Sequence, residues 1–413
     1  MMNSPLALHG GAPVRPTYKP ARPRVPAEAR DEVLRVLDDG TLARFYGGTH
    51  VRALEAEFAA WFGRSHGVAV NSGTSALHVA YVAAGLPPFS EVLVPANAYI
   101  SAITALIQSH LVPVIVDVDP SSWVMDPVDA RRKLTSRTSA IVPVHMYGQP
   151  CPMDDLLELA RAHGLWVLED CGQAHGGMWN GRLLGSLGDA AAYSVCCRKH
   201  VTSGEGGLVI SDSAALVERA RSLAHKGKGD GWFEYLEMGF SYNMTEVQAV
   251  LARHGLRALE HETQTRQKFA AGIRAALDGL GLEFPHLGEG SAHAYFKFNF
   301  LLPRELGPWR NEIVTALRRE NVGADPAHPY VLEIDWLRNQ EPLLYSQITE
   351  GRPCYARESC PTALDVMARQ VGLELGPGLD QEDIEYTIAA VRKVIPWYAQ
   401  NHARLGSPTV VSI

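Results

Sequence analysis

The chain has 413 residues, with 38 Lys+Arg against 45 Asp+Glu and a formal charge of −7. Its 46% apolar and 20% charged residues are those of a folded protein, not a disordered one. The mild acidity carries no electrostatic footprint for nucleic acid or an anionic membrane, and the length exceeds what one core holds, so two domains are expected.

Residues 1–25 read as an arm, punctuated by Gly10, Gly11, Pro13, Pro16 and Pro20. The apolar stretch there is too short for a secretory signal. Segments 26–38 and 51–62 carry apolar residues at helical spacing. From Gly67 the texture changes to short apolar runs at 67–70, 91–96, 113–118, 140–146 and 165–170, with amphipathic stretches between them, such as 153–163. Runs apolar on both faces and separated by helices predict βα units and a mostly parallel sheet sandwiched by helices. The uncharged window 92–108 contains Pro95, Asn97, Ser101 and Thr104, and reads as strand, turn and helix instead of a membrane span. Runs 190–195 and 207–212 extend the sheet without an intervening helix, and a helix at about 245–260 closes a large domain assigned to 26–260. Residues 261–413 read as a smaller α+β domain: a strand at 294–302, a helix near 307–320, a Pro-broken stretch at 325–361, a final helix at 381–399 and a loose tail. The six cysteines (Cys151, Cys171, Cys196, Cys197, Cys354, Cys360) include no CxxC pair, which suits free thiols in a reducing cytoplasm and no structural metal.

Three constellations carry chemistry. Asn71, Ser72, Gly73, Thr74 and Ser75 follow a strand and open a helix, so backbone N–H groups stand free at its positive end, a site for a phosphate. A plain N-cap would have the same residues. Neither GxxxxGK[ST] nor a strand-borne GxGxxG occurs. Glu169 and Asp170 end an apolar strand, where α/β sheets collect ligands, and an acid there needs a cationic partner such as a protonated heterocyclic nitrogen. Capping of the next segment is the plainer alternative. Lys199 leaves a strand into the Gly-rich 204–207 turn; desolvated, or beside Arg198, its amine would lose its proton readily enough to form a Schiff base. A lone Lys is ordinarily a solvated charge, but phosphate cradle, acid and lysine together are the parts that hold pyridoxal phosphate.

These motifs resemble the DegT/DnrJ/EryC1/StrS family of pyridoxal-phosphate-dependent sugar and cyclitol aminotransferases of fold type I. The matching stretches are VNSGTSAL at 70–77, VPANAY at 94–99, EDCGQAH at 169–175 and SVCCRKHVTSGEGG at 194–207. The resemblance implies Lys199 as the Schiff-base lysine, Asp170 on the pyridine nitrogen, and Gln173 on the phenolic oxygen. Gly73, Thr74, Ser75 and Ser194 would lie around the phosphate, and Tyr99 against the ring. His175 follows the family pattern without an assigned role. Where the family has Gly-x-Asn-Tyr-Arg-Met, this chain has Gly239-Phe240-Ser241-Tyr242-Asn243-Met244. Ser241 therefore stands for the Asn that reaches the neighbouring subunit's phosphate, which implies a homodimer with shared sites. Asn243 replaces an Arg whose bidentate grip on anions it cannot imitate; Arg198, Lys226 and Lys228 are substitutes. Gly10 to Val14 resemble the branch with scyllo-inosose aminotransferases and amino-hydroxybenzoate synthases. The expected function is transfer of an amino group from Glu or Gln to a keto-cyclitol or keto-sugar in antibiotic-type biosynthesis. Tyr46, Lys297, His328 and Tyr330 are candidates for substrate contact. Sugar dehydration, oxidation or amino-hydroxybenzoate-synthase-like chemistry in the same pocket is the alternative, with a non-catalytic protein of the same fold ranked below both.

Overall fold

A computed structural model describes residues 5–405, apart from residues 24, 230, 232, 349, 350 and 352; the side chains of Tyr46, Leu343 and Leu344 also lie outside the described residues. Helices α1 (Ala27–Asp38) and α2 (His50–Trp61) lead into the expected alternation: β1 (His66–Val70), α3 (Gly73–Ala84), β2 (Glu91–Pro95), α4 (Ile100–Gln108), β3 (Val112–Val116), α5 (Pro127–Arg132), β4 (Thr138–Ile141), α6 (Met153–His163) and β5 (Trp166–Asp170). A small antiparallel hairpin, β6 (Met178–Trp179) and β7 (Arg182–Leu183), precedes β8 (Ala190–Ser194), β9 (Gly207–Ser211) and α7 (Ala214–Ala224).

Seven strands form one sheet in the order β1-β9-β8-β5-β4-β2-β3. Pairing is parallel except at β9, which runs against both β1 and β8. The segment from β8 to β9 carries no crossover helix, and a parallel return would need one. The apolar runs are buried on both faces because helices cover both sides of the sheet. The run at 140–146 is buried as well but is not one strand. Strand β4 stops at Ile141, since Pro143 has no N–H for the ladder; pairing resumes as an isolated bridge from Val144 to Asp170.

The long helix α8 (Glu246–Ala276) starts at a capping box between Thr245 and Gln248. It runs past the expected end at 260. Leu256 and Leu259 pack into the core beneath the large sheet, while Ala270 and Ile273 pack into the C-terminal core, so one rod serves both. Beyond it come β10 (Lys297–Leu301), α9 (Arg310–Arg319), β11 (Ala324–Pro326), α10 (Asp335–Arg338), α11 (Pro361–Arg369), β12 (Gln370–Glu374) and α12 (Gln381–Asn401). The three strands form an antiparallel sheet with β12 in the centre.

The arm is tied down by polar contacts on that C-terminal unit. The buried carboxylate of Glu320 accepts the N–H groups of Ala7 and Val14, each at 2.9 Å. Lys393 pairs with the same carboxylate, Arg15 and Lys19 pair with Asp383, and Leu6 is fully buried. Among the described residues no helix is long and apolar enough to cross a membrane.

Candidate active site

The ends of β1, β5 and β8 and the start of α3 enclose a cleft of about 380 Å³. Its walls include Ser72, Gly73, Thr74, Tyr99, Asp170, Gln173, Ser194 and Lys199. At one end Ser72 caps α3, its Oγ accepting from Ser75 N–H at 3.0 Å. The first N–H groups of a helix have no partner within it, and here they open at Gly73 and Thr74. A Cβ at Gly73 would lie 2.6 Å from Ser194 Cβ, so only glycine lets α3 start this close to the end of β8. Ser75 is not in the wall; its hydroxyl bonds Asn71 Oδ1 at 2.7 Å and contacts Ser72 Oγ at 2.9 Å.

Side chains alternate along β5, so its two terminal acids part company. Glu169 faces away from the cleft and is saturated: it accepts from the N–H groups of Gly185, Leu187 and Gly188 at 2.7–2.8 Å and from His145 Nε2 at 3.2 Å. Burial by itself would raise its pKa, but His145 and the backbone donors outweigh burial and hold it below the ordinary value. Cys151 N–H donates to His145 Nδ1, which puts the imidazole proton on Nε2. Glu169, His145 and Cys171 bring potential ligand atoms within 4.8 Å of one another, yet the oxygens and ring nitrogens are already spent on these hydrogen bonds.

Asp170 faces the cleft, only 8% exposed, and takes one backbone donor, Gly172 N–H at 3.0 Å. Burial raises its pKa; Gly172, then Lys199 and His145, pull the other way. Burial pushes the Lys199 ammonium down, with Lys297 pushing the same way and Cys196 and Asp170 opposing. Lys199 Nζ sits 4.4 Å from the centroid of the Phe296 ring. Gln173 Oε1 accepts from Tyr147 N–H at 2.9 Å, which leaves its NH₂ as the remaining donor. Tyr99 is 47% exposed and meets the His328 ring edge-on at 5.2 Å. His328 also stacks on Tyr147, and burial takes its pKa down to about 4. Arg198 and Lys297 line the same walls; Lys297 pairs with Asp325 at 2.5 Å.

Other expected residues lie elsewhere. Tyr330 turns its hydroxyl to the carbonyls of Arg357 and Cys360 in the core, so it serves packing and not the cleft. His175 is fully buried, and neither ring nitrogen has a hydrogen-bond partner among the described residues. The Tyr46 side chain falls outside the described residues. Asn243, Lys226 and Lys228 line a second, larger cleft of about 1060 Å³, with Arg44, Arg219 and Arg221, and Ser241 pairs through its backbone with His225 at that cleft's edge. Sequence reasoning missed the cleft-lining Cys196, Cys197, His145, Glu205 and Phe296. The first two and Glu205 lie in the quoted stretch 194–207 and were legible there; His145 and Phe296 come from segments whose side-chain direction no motif announces.

Residues 23–392 match the model of the DegT/DnrJ/EryC1/StrS aminotransferase family. The chain is 33% identical over 320 residues to GDP-perosamine synthase of Caulobacter vibrioides, covering 76% of this chain and 85% of that protein. It is 39% identical over 253 residues to a putative L-glutamine:3-amino-2,3-dideoxy-scyllo-inosose aminotransferase of Streptoalloteichus tenebrarius, covering 60% and 61%. The X-ray structure of an aminotransferase from Psychrobacter cryohalolentis superposes with a TM-score of 0.83 at 29% identity, covering 93% of this chain and all of that one.

The Glu169 charge is a stability term with a definite pH window. Its folded pKa is depressed, so its contribution is complete above the ordinary carboxylate value of 4.5 and is lost as pH falls through the lower folded value. Glu169→Gln should lower the free energy of unfolding by about 3 kcal/mol at pH 7. In urea titrations the gap between variant and parent should narrow below pH 4.5.

Proposed function

The chain belongs to the DegT/DnrJ/EryC1/StrS aminotransferase family, whose enzymes use pyridoxal 5′-phosphate, and from that premise we propose that it moves an amino group from Glu or Gln onto a keto-cyclitol or keto-sugar of specialised metabolism. The observation that carries the reading is the single cleft holding Lys199, Asp170 and the open start of α3. Support for a cyclitol comes from the arm motif at Gly10 to Val14 and from the inosose aminotransferase relative; the perosamine synthase relative supports a nucleotide-linked sugar.

The residues present fit the cofactor. Asp170 is a buried carboxylate short of partners, and Gly73 keeps the helix mouth open where a methyl group would close it. When bound, pyridoxal phosphate supplies an electron-accepting ring for the pair left on a substrate carbon that has lost its proton. Asp170 would keep a proton at the pyridine nitrogen. Gln173 would donate its NH₂ to the phenolic oxygen, and Tyr99 would lie against the ring. Thr74, Ser194 and the N–H groups at Gly73 and Thr74 would hold the phosphate. Lys199 would hold the cofactor covalently and, once freed, its amine would accept and return the proton of the substrate α-carbon. Its lowered pKa keeps a share of neutral amine available for that transfer.

The functional unit is a homodimer in which Ser241 and Asn243 serve the neighbouring protomer. Next to them Phe233, Tyr235, Leu236 and Met238 stand 58–85% exposed, an apolar group that a partner would cover.

Gly73→Ala should weaken pyridoxal phosphate binding roughly tenfold or more, because the new methyl meets Ser194; fluorescence titration of apoenzyme measures it. Borohydride should fix the cofactor on Lys199, and Lys199→Ala should lower kcat by about 10⁴ or more. Glutamine or glutamate alone should shift the parent's absorbance from the aldehyde to the amine form of the cofactor. If no common amino acid does so, the donor assignment fails. Light scattering should give a dimer, and Met238→Asp should lower both its stability and its specific activity on dilution.

A further inference from the structure

The cleft contains two nucleophiles that the transamination reading leaves unused. Cys196 and Cys197 both line it, alongside Lys199 and Asp170. They sit in the tight turn closed by Lys199 N–H on the Cys196 carbonyl at 3.0 Å. Cys197 is exposed and Cys196 half-buried, whereas Cys151, Cys171 and Cys360 are buried and Cys354, also exposed, lies outside the cleft. Arg198, Lys199, Lys297, Asp170 and Glu205 share the cleft walls with the pair.

The geometry points to Cys197 as a site of covalent modification by low-molecular-weight disulfides, closing the cleft to substrate. The Cys197 thiolate attacks one sulfur of the small disulfide, whose S–S bond breaks. A new S–S bond forms at Cys197, and the departing thiolate takes up the proton that Cys197 gave, so two thiol–disulfide partners exchange with no further oxidant. An adjacent thiol would ordinarily resolve such an adduct. Here it does so poorly: neighbouring Cα atoms across a trans peptide are about 3.8 Å apart, short of the roughly 4.4 Å that unstrained disulfides require. The adduct therefore persists in a space of about 380 Å³ shared with Lys199. The loss of turnover rests on this cleft being the active site; the thiol chemistry does not.

The test uses holoenzyme in a Cys354→Ser background with 5,5′-dithiobis(2-nitrobenzoate) as the disulfide. One fast equivalent of thionitrobenzoate should be released, its adduct should map to the peptide bearing residues 196–197, turnover should fall in step, and dithiothreitol should restore it. Adding Cys197→Ser should slow inactivation roughly tenfold or more, each variant being scored against its own untreated rate. Equal inactivation of the Cys197→Ser enzyme, an adduct that maps elsewhere, or a mapped adduct with turnover unchanged would overturn the proposal. The donor-driven absorbance change of untreated enzyme, measured separately, distinguishes failure of the transaminase reading from failure of this one.

Discussion

A carboxylate deprived of water is the constraint around which this molecule is organised. Asp170 ends a strand in the middle of a seven-stranded sheet and is almost fully buried, and among the described residues its carboxylate receives a single backbone hydrogen bond. Burial raises its pKa, and the Gly172 N–H and the Lys199 cation oppose that shift. The neighbouring acid makes the contrast sharp. Glu169, equally buried, meets three N–H groups and an imidazole, and is settled as a structural anion. One residue of register separates a carboxylate that holds a turn from one that faces the cleft with a single backbone donor.

The rest of the cleft follows from how closely backbone segments approach. Gly73 allows the start of α3 to touch the end of β8, so a helix mouth and Ser194 share one edge. The reversed strand β9 brings the Gly-rich 204–207 segment back between β1 and β8, enclosing the turn that carries Lys199. Helix α8 anchors the large sheet and the C-terminal core together, and this fixes Phe296, Lys297 and His328 as the far wall.

Much of this was legible before any coordinates. Strands buried on both faces announce themselves as unbroken apolar runs, so β1, β2, β3, β5, β8 and β9 were placed within a residue or two. The motifs around Asp170 and Lys199 carry short-range chemistry that survives as a string of letters. Elements with mixed composition were not legible. Strand β12 contains Gly372 between polar ends, and only pairing on both sides makes it a central strand. Strand β4 was read too long because a run of apolar letters hides the missing donor of Pro143.

The sequence by itself determined the βα alternation and the motifs around Gly73, Asp170 and Lys199, since each is a pattern of a few neighbouring residues. Only the tertiary structure decided which of two adjacent acids faces the cleft, that Tyr330 is a core residue, and that two thiols share the walls with Lys199. Those outcomes depend on strand register, helix docking and the distances between segments far apart in sequence, and local composition does not encode them.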